Sequence, residues 1–109
     1  MHPTIRLFQA CRITLFTRAN CSLCTTAKDT LFKVRETRPF VYKEINVMEE
    51  GQTHWKDLYE FDTPVIHVSS EGVGEERSEL AAEAKKLMHR FTEEEVKRKM
   101  NEVEGSAAA

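Results

Sequence analysis

The chain has 109 residues, enough for one domain with one modest core. Its 16 Lys and Arg are nearly balanced by 18 Asp and Glu, leaving a formal net charge of -2, so the basic excess of a nucleic-acid binder is missing. No apolar run reaches the ~18 residues of a membrane span, nor does a hydrophobic stretch follow the start as in a secretory signal.

In chain order, Met1 to Cys11 reads as a flexible N-terminal tail, and Ile13-Thr14-Leu15-Phe16 as a short buried strand. From Cys21 the spacing turns helical, with Cys24, Ala27, Leu31 and Val34 on one face, and Pro39 ends the element. Val41 to Val47 alternates as a second strand. A shorter helix from about Thr53 would bury Trp55, Leu58 and Tyr59, and Asp62-Thr63-Pro64 breaks it. The β-branched run Val65-Ile66-His67-Val68 makes a third strand.

Two readings compete for the stretch from Ser69 to Phe91. One is a single helix over Ser78–Phe91. The other is a charged insertion over 69–85, holding at most a helical turn or two, with Leu87 to Phe91 as a fourth strand. Thr92-Glu93-Glu94-Glu95 favours the strand, because it forms a capping box that starts a new helix carrying Val96, Met100 and Val103. The domain is thus expected over 12–104, with a frayed tail over 105–109. The order strand, helix, strand, helix, strand, strand, helix implies an α/β fold. Its small mixed four-stranded sheet opens with a parallel βαβ pair and is flanked by helices.

Three cysteines are too few, and odd in number, for a disulfide-stapled secreted scaffold. A cytoplasmic location is expected. Mitochondria are the alternative, because Arg6, Arg12 and Arg18 precede the first acidic residue, Asp29.

The Cys21-Ser22-Leu23-Cys24 segment falls at a strand-to-helix junction. The first helical turn offers unpaired N–H groups and the positive end of the helix dipole, which together lower a thiol's pKa. Cys21 is therefore the expected nucleophile, and Cys24, one turn further in and on the buried face, the resolving thiol. Half a zinc site is the competing reading. Neither Cys11 nor the four histidines form a second paired motif, so no metal is expected. Thr63-Pro64 is expected to be cis, bringing the Thr63 backbone near the thiols, where an extended peptide or glutathione could pair with it.

These residues resemble the glutaredoxin family, and more closely its eukaryotic glutaredoxin-like branch, over roughly Ile13 to Val103. The resemblance is carried by Leu15 through Cys24, by Ala27-Lys28, by Phe61-Asp62-Thr63-Pro64-Val65-Ile66-His67-Val68 and by Leu87-Met88-His89-Arg90-Phe91. It implies a thioredoxin-like, glutaredoxin-type fold and thiol–disulfide oxidoreductase activity on disulfide-bearing proteins or glutathione adducts, with glutathione as co-substrate. Arg18 matches the basic position that binds a glutathione carboxylate, and Thr63, before Pro64, the position that pairs with its backbone. Two departures stand out. Ser22-Leu23 replaces Pro-Tyr between the cysteines. Thr92-Glu93-Glu94-Glu95 occupies the helix start that normally binds the γ-glutamyl end, where glutamates repel a carboxylate.

Two other functions remain open at this level. One is a non-enzymatic adaptor on the same fold; the other is an iron–sulfur carrier ligated by Cys21 and glutathione. A monomer is expected. Cys11 reads as an incidental thiol, His67 and His89 as packed or solvated, Trp55 and Tyr59 as core, and Glu71 to Lys86 as a solvated charge run.

Overall fold

The computed structural model describes residues 11–70 and 74–108. Positions 1–10, most of the expected N-terminal tail, lie outside the described residues. The elements run β1 (Cys11–Thr17), α1 (Ser22–Thr37), β2 (Val41–Asn46), α2 (Thr53–Tyr59), β3 (Val65–Ser70), a 3-10 helix (Ser78–Glu83), β4 (Lys85–Met88) and α3 (Glu93–Ala108). The sheet order is β2-β1-β3-β4. β1 pairs parallel with β2, Thr17 opposite Asn46, and antiparallel with β3, Phe16 opposite Val65. β3 pairs antiparallel with β4, Val65 opposite Met88. The C-terminal ends of β1, β2 and β4 and the N-terminal end of β3 therefore share one end of the sheet.

β1 lies between two strands and all seven of its residues are buried. Its alternation divides the core. Cys11, Ile13 and Leu15 join Leu31 and Val34 of α1 and Val96 and Met100 of α3 on one face. Phe16 packs on the other face with Trp55 and Tyr59 of α2, its ring centroid 4.5 Å from that of Trp55. Each fully buried Leu, Ile or Phe contributes about 1.5–3 kcal/mol, so these two layers supply the fold's main stabilisation.

Several expectations shift. Cys11 is not in a tail; it is the first residue of β1, fully buried, because α3 covers it. Its thiol lies 3.4 Å from the Glu104 carboxylate. Nor is the backbone frayed over 105–108 of the expected tail. Arg38 holds the Glu104 carboxylate at 2.7 Å, and the α3 backbone stays helical to Ala108. Leu58 is 43% exposed rather than core. A seven-residue helix presents one narrow stripe, and Trp55 and Tyr59 fill it.

The strand reading holds over the single helix, but β4 begins two residues before Leu87 and stops at Met88. His89 takes a positive φ of 65° and donates its N–H to the Pro64 carbonyl at 2.7 Å, turning the chain out of the strand. The capping box forms as expected. Thr92 Oγ1 accepts the Glu95 N–H at 3.1 Å, while the Glu95 carboxylate accepts the Thr92 N–H at 2.9 Å. Among the described residues no helix is long and apolar enough to cross a membrane.

Candidate active site

β1 ends at Thr17, and a short turn leads to α1. Asn20 sits in that turn at φ 58°, a left-handed conformation that Asn tolerates better than most residues. The turn puts Cys21 at the N-cap of α1, in extended conformation. Its Sγ accepts the Cys24 N–H at 3.1 Å. Like a Ser or Asp cap, it satisfies one orphan amide of the first turn. The two cysteines form a disulfide with their Cα atoms 5.2 Å apart. Cys21 is half-buried and Cys24 is buried, so the sulfur at the cap is the one a partner reaches first.

An open pocket of about 690 Å³ lies along this turn, lined among others by Thr17, Arg18, Cys21, Cys24, Lys28 and Glu44. The guanidinium of Arg18 donates from Nη1 to the Glu60 carbonyl at 2.8 Å, leaving further donors of its fork available. Lys28, one turn beyond Cys24, pairs with Glu44 of β2 at 2.9 Å, and the Tyr42 hydroxyl donates to the same carboxylate at 2.6 Å. Burial pushes the Glu44 carboxyl up, but the hydrogen bonds from Tyr42 and Lys28 more than offset this and hold it below the ordinary carboxylate range.

The pocket thus brings Arg18, Cys21 and Cys24 together. Thr63 and Pro64 are not among its lining residues. They precede β3 at the same end of the sheet, joined by a cis peptide bond. Lys28 and Glu44 are additions. The first could be found from its four-residue spacing to Cys24; the second depends on strand register and left no sequence signal. Among the described residues no group of three or more His, Cys, Asp or Glu is placed to hold a metal ion.

A second polar cluster lies on the α2 side of the sheet. His67, only 1% exposed, bonds Tyr59 through Nε2 and Glu76 through Nδ1, both at 2.8 Å. A carboxylate only accepts, so Nδ1 is assigned the proton and Nε2 accepts from the Tyr59 hydroxyl. Glu76 also accepts from Thr14 at 3.0 Å and faces Arg12 at 3.7 Å. Burial pushes its carboxyl up. His67, Thr14 and Arg12 together bring it below the ordinary range. The charged stretch after β3 is therefore not simply a solvated face, since Glu76 is pinned to the sheet.

The glutaredoxin-like domain family (DUF836) matches residues 12–101, most of the chain and all of the site just described. The chain belongs to the glutaredoxin-like family. A glutaredoxin-like protein of Dictyostelium discoideum is 34% identical to it over 62 residues, which are 53% of this chain and 57% of the relative's length. The match therefore spans little more than half of that relative. Among solved structures, oxidized thioredoxin O2 from Arabidopsis thaliana superposes with a TM-score of 0.59 at 14% identity, covering 92% of this chain and 85% of that one. The X. campestris protein XcR50 does so with a TM-score of 0.57 at 16% identity, covering 83% and 96%. At these identities the structures speak for the fold alone, and the fold of this glutaredoxin-like chain is thioredoxin-like.

Proposed function

We propose that this glutaredoxin-like protein is a thiol–disulfide oxidoreductase in which Cys21 is the nucleophile and Cys24 the resolving thiol. In the reduced protein the Cys21 thiolate attacks one sulfur of a partner disulfide, forming a mixed disulfide and expelling the partner's other sulfur as a thiolate. The Cys24 thiolate then attacks Cys21, releasing the partner's remaining sulfur and closing Cys21–Cys24. The partner gains two electrons and the two protons of the protein's thiols. Glutathione or another thiol reductant restores the dithiol. Arg18 and the Thr63-Pro64 backbone bind the substrate, the guanidinium donating to a peptide carbonyl.

One observation carries this reading: the Cys21 sulfur caps α1 on the Cys24 amide, beside the buried Cys24. A negative charge there is favoured by the helix dipole and by that N–H. The test is the pH dependence of alkylation of the reduced protein, with Cys24→Ser and Cys21→Ser as controls. A Cys21-dependent midpoint below about 7.5 is expected. A midpoint near ~8.5, that of an ordinary thiol, would turn the reading toward a non-enzymatic binding module.

A further inference from the structure

Phe61 is 88% exposed, whereas every other exposed large hydrophobic side chain described keeps half or more of its surface covered. Single exposed apolar residues are common on protein surfaces; the setting of this one is not. The carbonyl of the preceding residue, Glu60, is held by Arg18, three positions before Cys21. The N–H of the following residue, Asp62, is held by the Tyr59 carbonyl at 2.9 Å. The backbone on both sides of Phe61 is therefore fixed, and the ring stands out from the segment leading into the cis Thr63-Pro64 bond. An ordered backbone with an unburied aromatic side chain provides contact area at low entropic cost.

The sequence neighbours of the ring, and the helix start at the same end of the sheet, are acidic. Glu60 and Asp62 flank it in sequence. Glu93, Glu94 and Glu95 form the first turn of α3, which begins at this same end of the sheet. Of the opposing cations, Lys28 is paired with Glu44, His89 faces Asp62 at 3.4 Å, and Arg18, at the Glu60 carbonyl, stands as one charge against the glutamates of that turn. An acidic surround attracts Lys and Arg and repels carboxylates.

Resting on the oxidoreductase reading, we propose that Phe61 is a specificity-determining residue. It docks a polypeptide whose cystine is flanked by an apolar side chain and by Lys or Arg. Glutathione disulfide, anionic and without an apolar side chain, is a poor substrate by comparison. The chemistry is that already written: the partner cystine is reduced to two thiols as Cys21–Cys24 closes.

The test is single-turnover oxidation of the reduced full-length protein by synthetic disulfide peptides, read by acid quench and mass spectrometry. Three peptides carry Lys-Phe, Glu-Phe or Lys-Gly beside the cystine, and glutathione disulfide is the fourth oxidant. The Lys-Phe peptide is expected to react about tenfold faster than the Lys-Gly peptide, from partial burial of one aromatic ring. It is also expected to outpace the Glu-Phe peptide at low salt, a difference that shrinks as salt screens the charges. In Phe61→Ser the Lys-Phe rate falls to the Lys-Gly rate. Because the ring is exposed, that variant folds like the parent, which an unchanged unfolding temperature checks. Equal rates for the three peptides, or no effect of Phe61→Ser, overturns the proposal while leaving the oxidoreductase reading standing. Failure of every oxidant to close Cys21–Cys24 overturns both.

Discussion

The Cys21 sulfur lies 3.1 Å from the amide nitrogen of Cys24, so one residue of the pair caps the helix on which the other is buried. The same N–H that completes the cap is available to a thiolate once the disulfide is opened. The two sulfurs therefore have unequal roles, and their substitution has unequal results. Cys24→Ser is expected to accumulate a mixed disulfide with a substrate, since nothing resolves it. Cys21→Ser is expected to form none and to lose exchange to background. Mass spectrometry after reaction with a disulfide peptide distinguishes the two.

Cys11 is the contrasting thiol. Burial first, and then the Glu104 carboxylate, push its pKa up to about 12, with Arg38 opposing weakly. It is expected to stay unalkylated at pH 8 in the folded, reduced protein while Cys21 reacts. It should label only on addition of denaturant. Peptide mapping after a short iodoacetamide pulse checks this.

The Glu76 carboxylate ties the segment after β3 to the sheet. Glu76→Ala strands the buried His67 N–H and the Thr14 hydroxyl, and is expected to cost about 1–3 kcal/mol in unfolding free energy. The pH dependence follows from the direction of the shift. A carboxyl held below its ordinary value of 4.5 stabilises the fold above that pH and loses the contribution as pH falls further. The gap between parent and Glu76→Gln, measured by urea unfolding, is expected to be constant near neutrality and to close below pH 4.5.

Thr92 and Glu95 satisfy each other's backbone amides at the start of α3. Thr92→Ala is expected to destabilise the protein by about 1 kcal/mol. The loss should show as a lower unfolding midpoint with an unchanged denaturant slope, because the surface exposed on unfolding stays the same.

The sequence by itself determined the features that are local. The helical spacing of Cys24, Ala27, Leu31 and Val34, the Cys-X-X-Cys at a strand-to-helix junction and the Thr92–Glu95 box depend on residues a few positions apart. Their periodicity and capping chemistry can be read without knowing the rest of the fold. Only the tertiary structure decided what covers each element. Cys11 looks like tail until α3 lies over it, and Leu58 looks like core until the shortness of α2 leaves it outside. Glu76 reads as one solvated charge among many, yet it meets Thr14, 62 positions away, because β1 and β3 pair antiparallel. The same pairing sets the cis Thr63-Pro64 bond at the end of the sheet where Cys21 caps its helix. A sequence pattern shows which face of an element is apolar, whereas the partner of a buried polar group is fixed by strand register and chain crossing, which a local pattern does not encode.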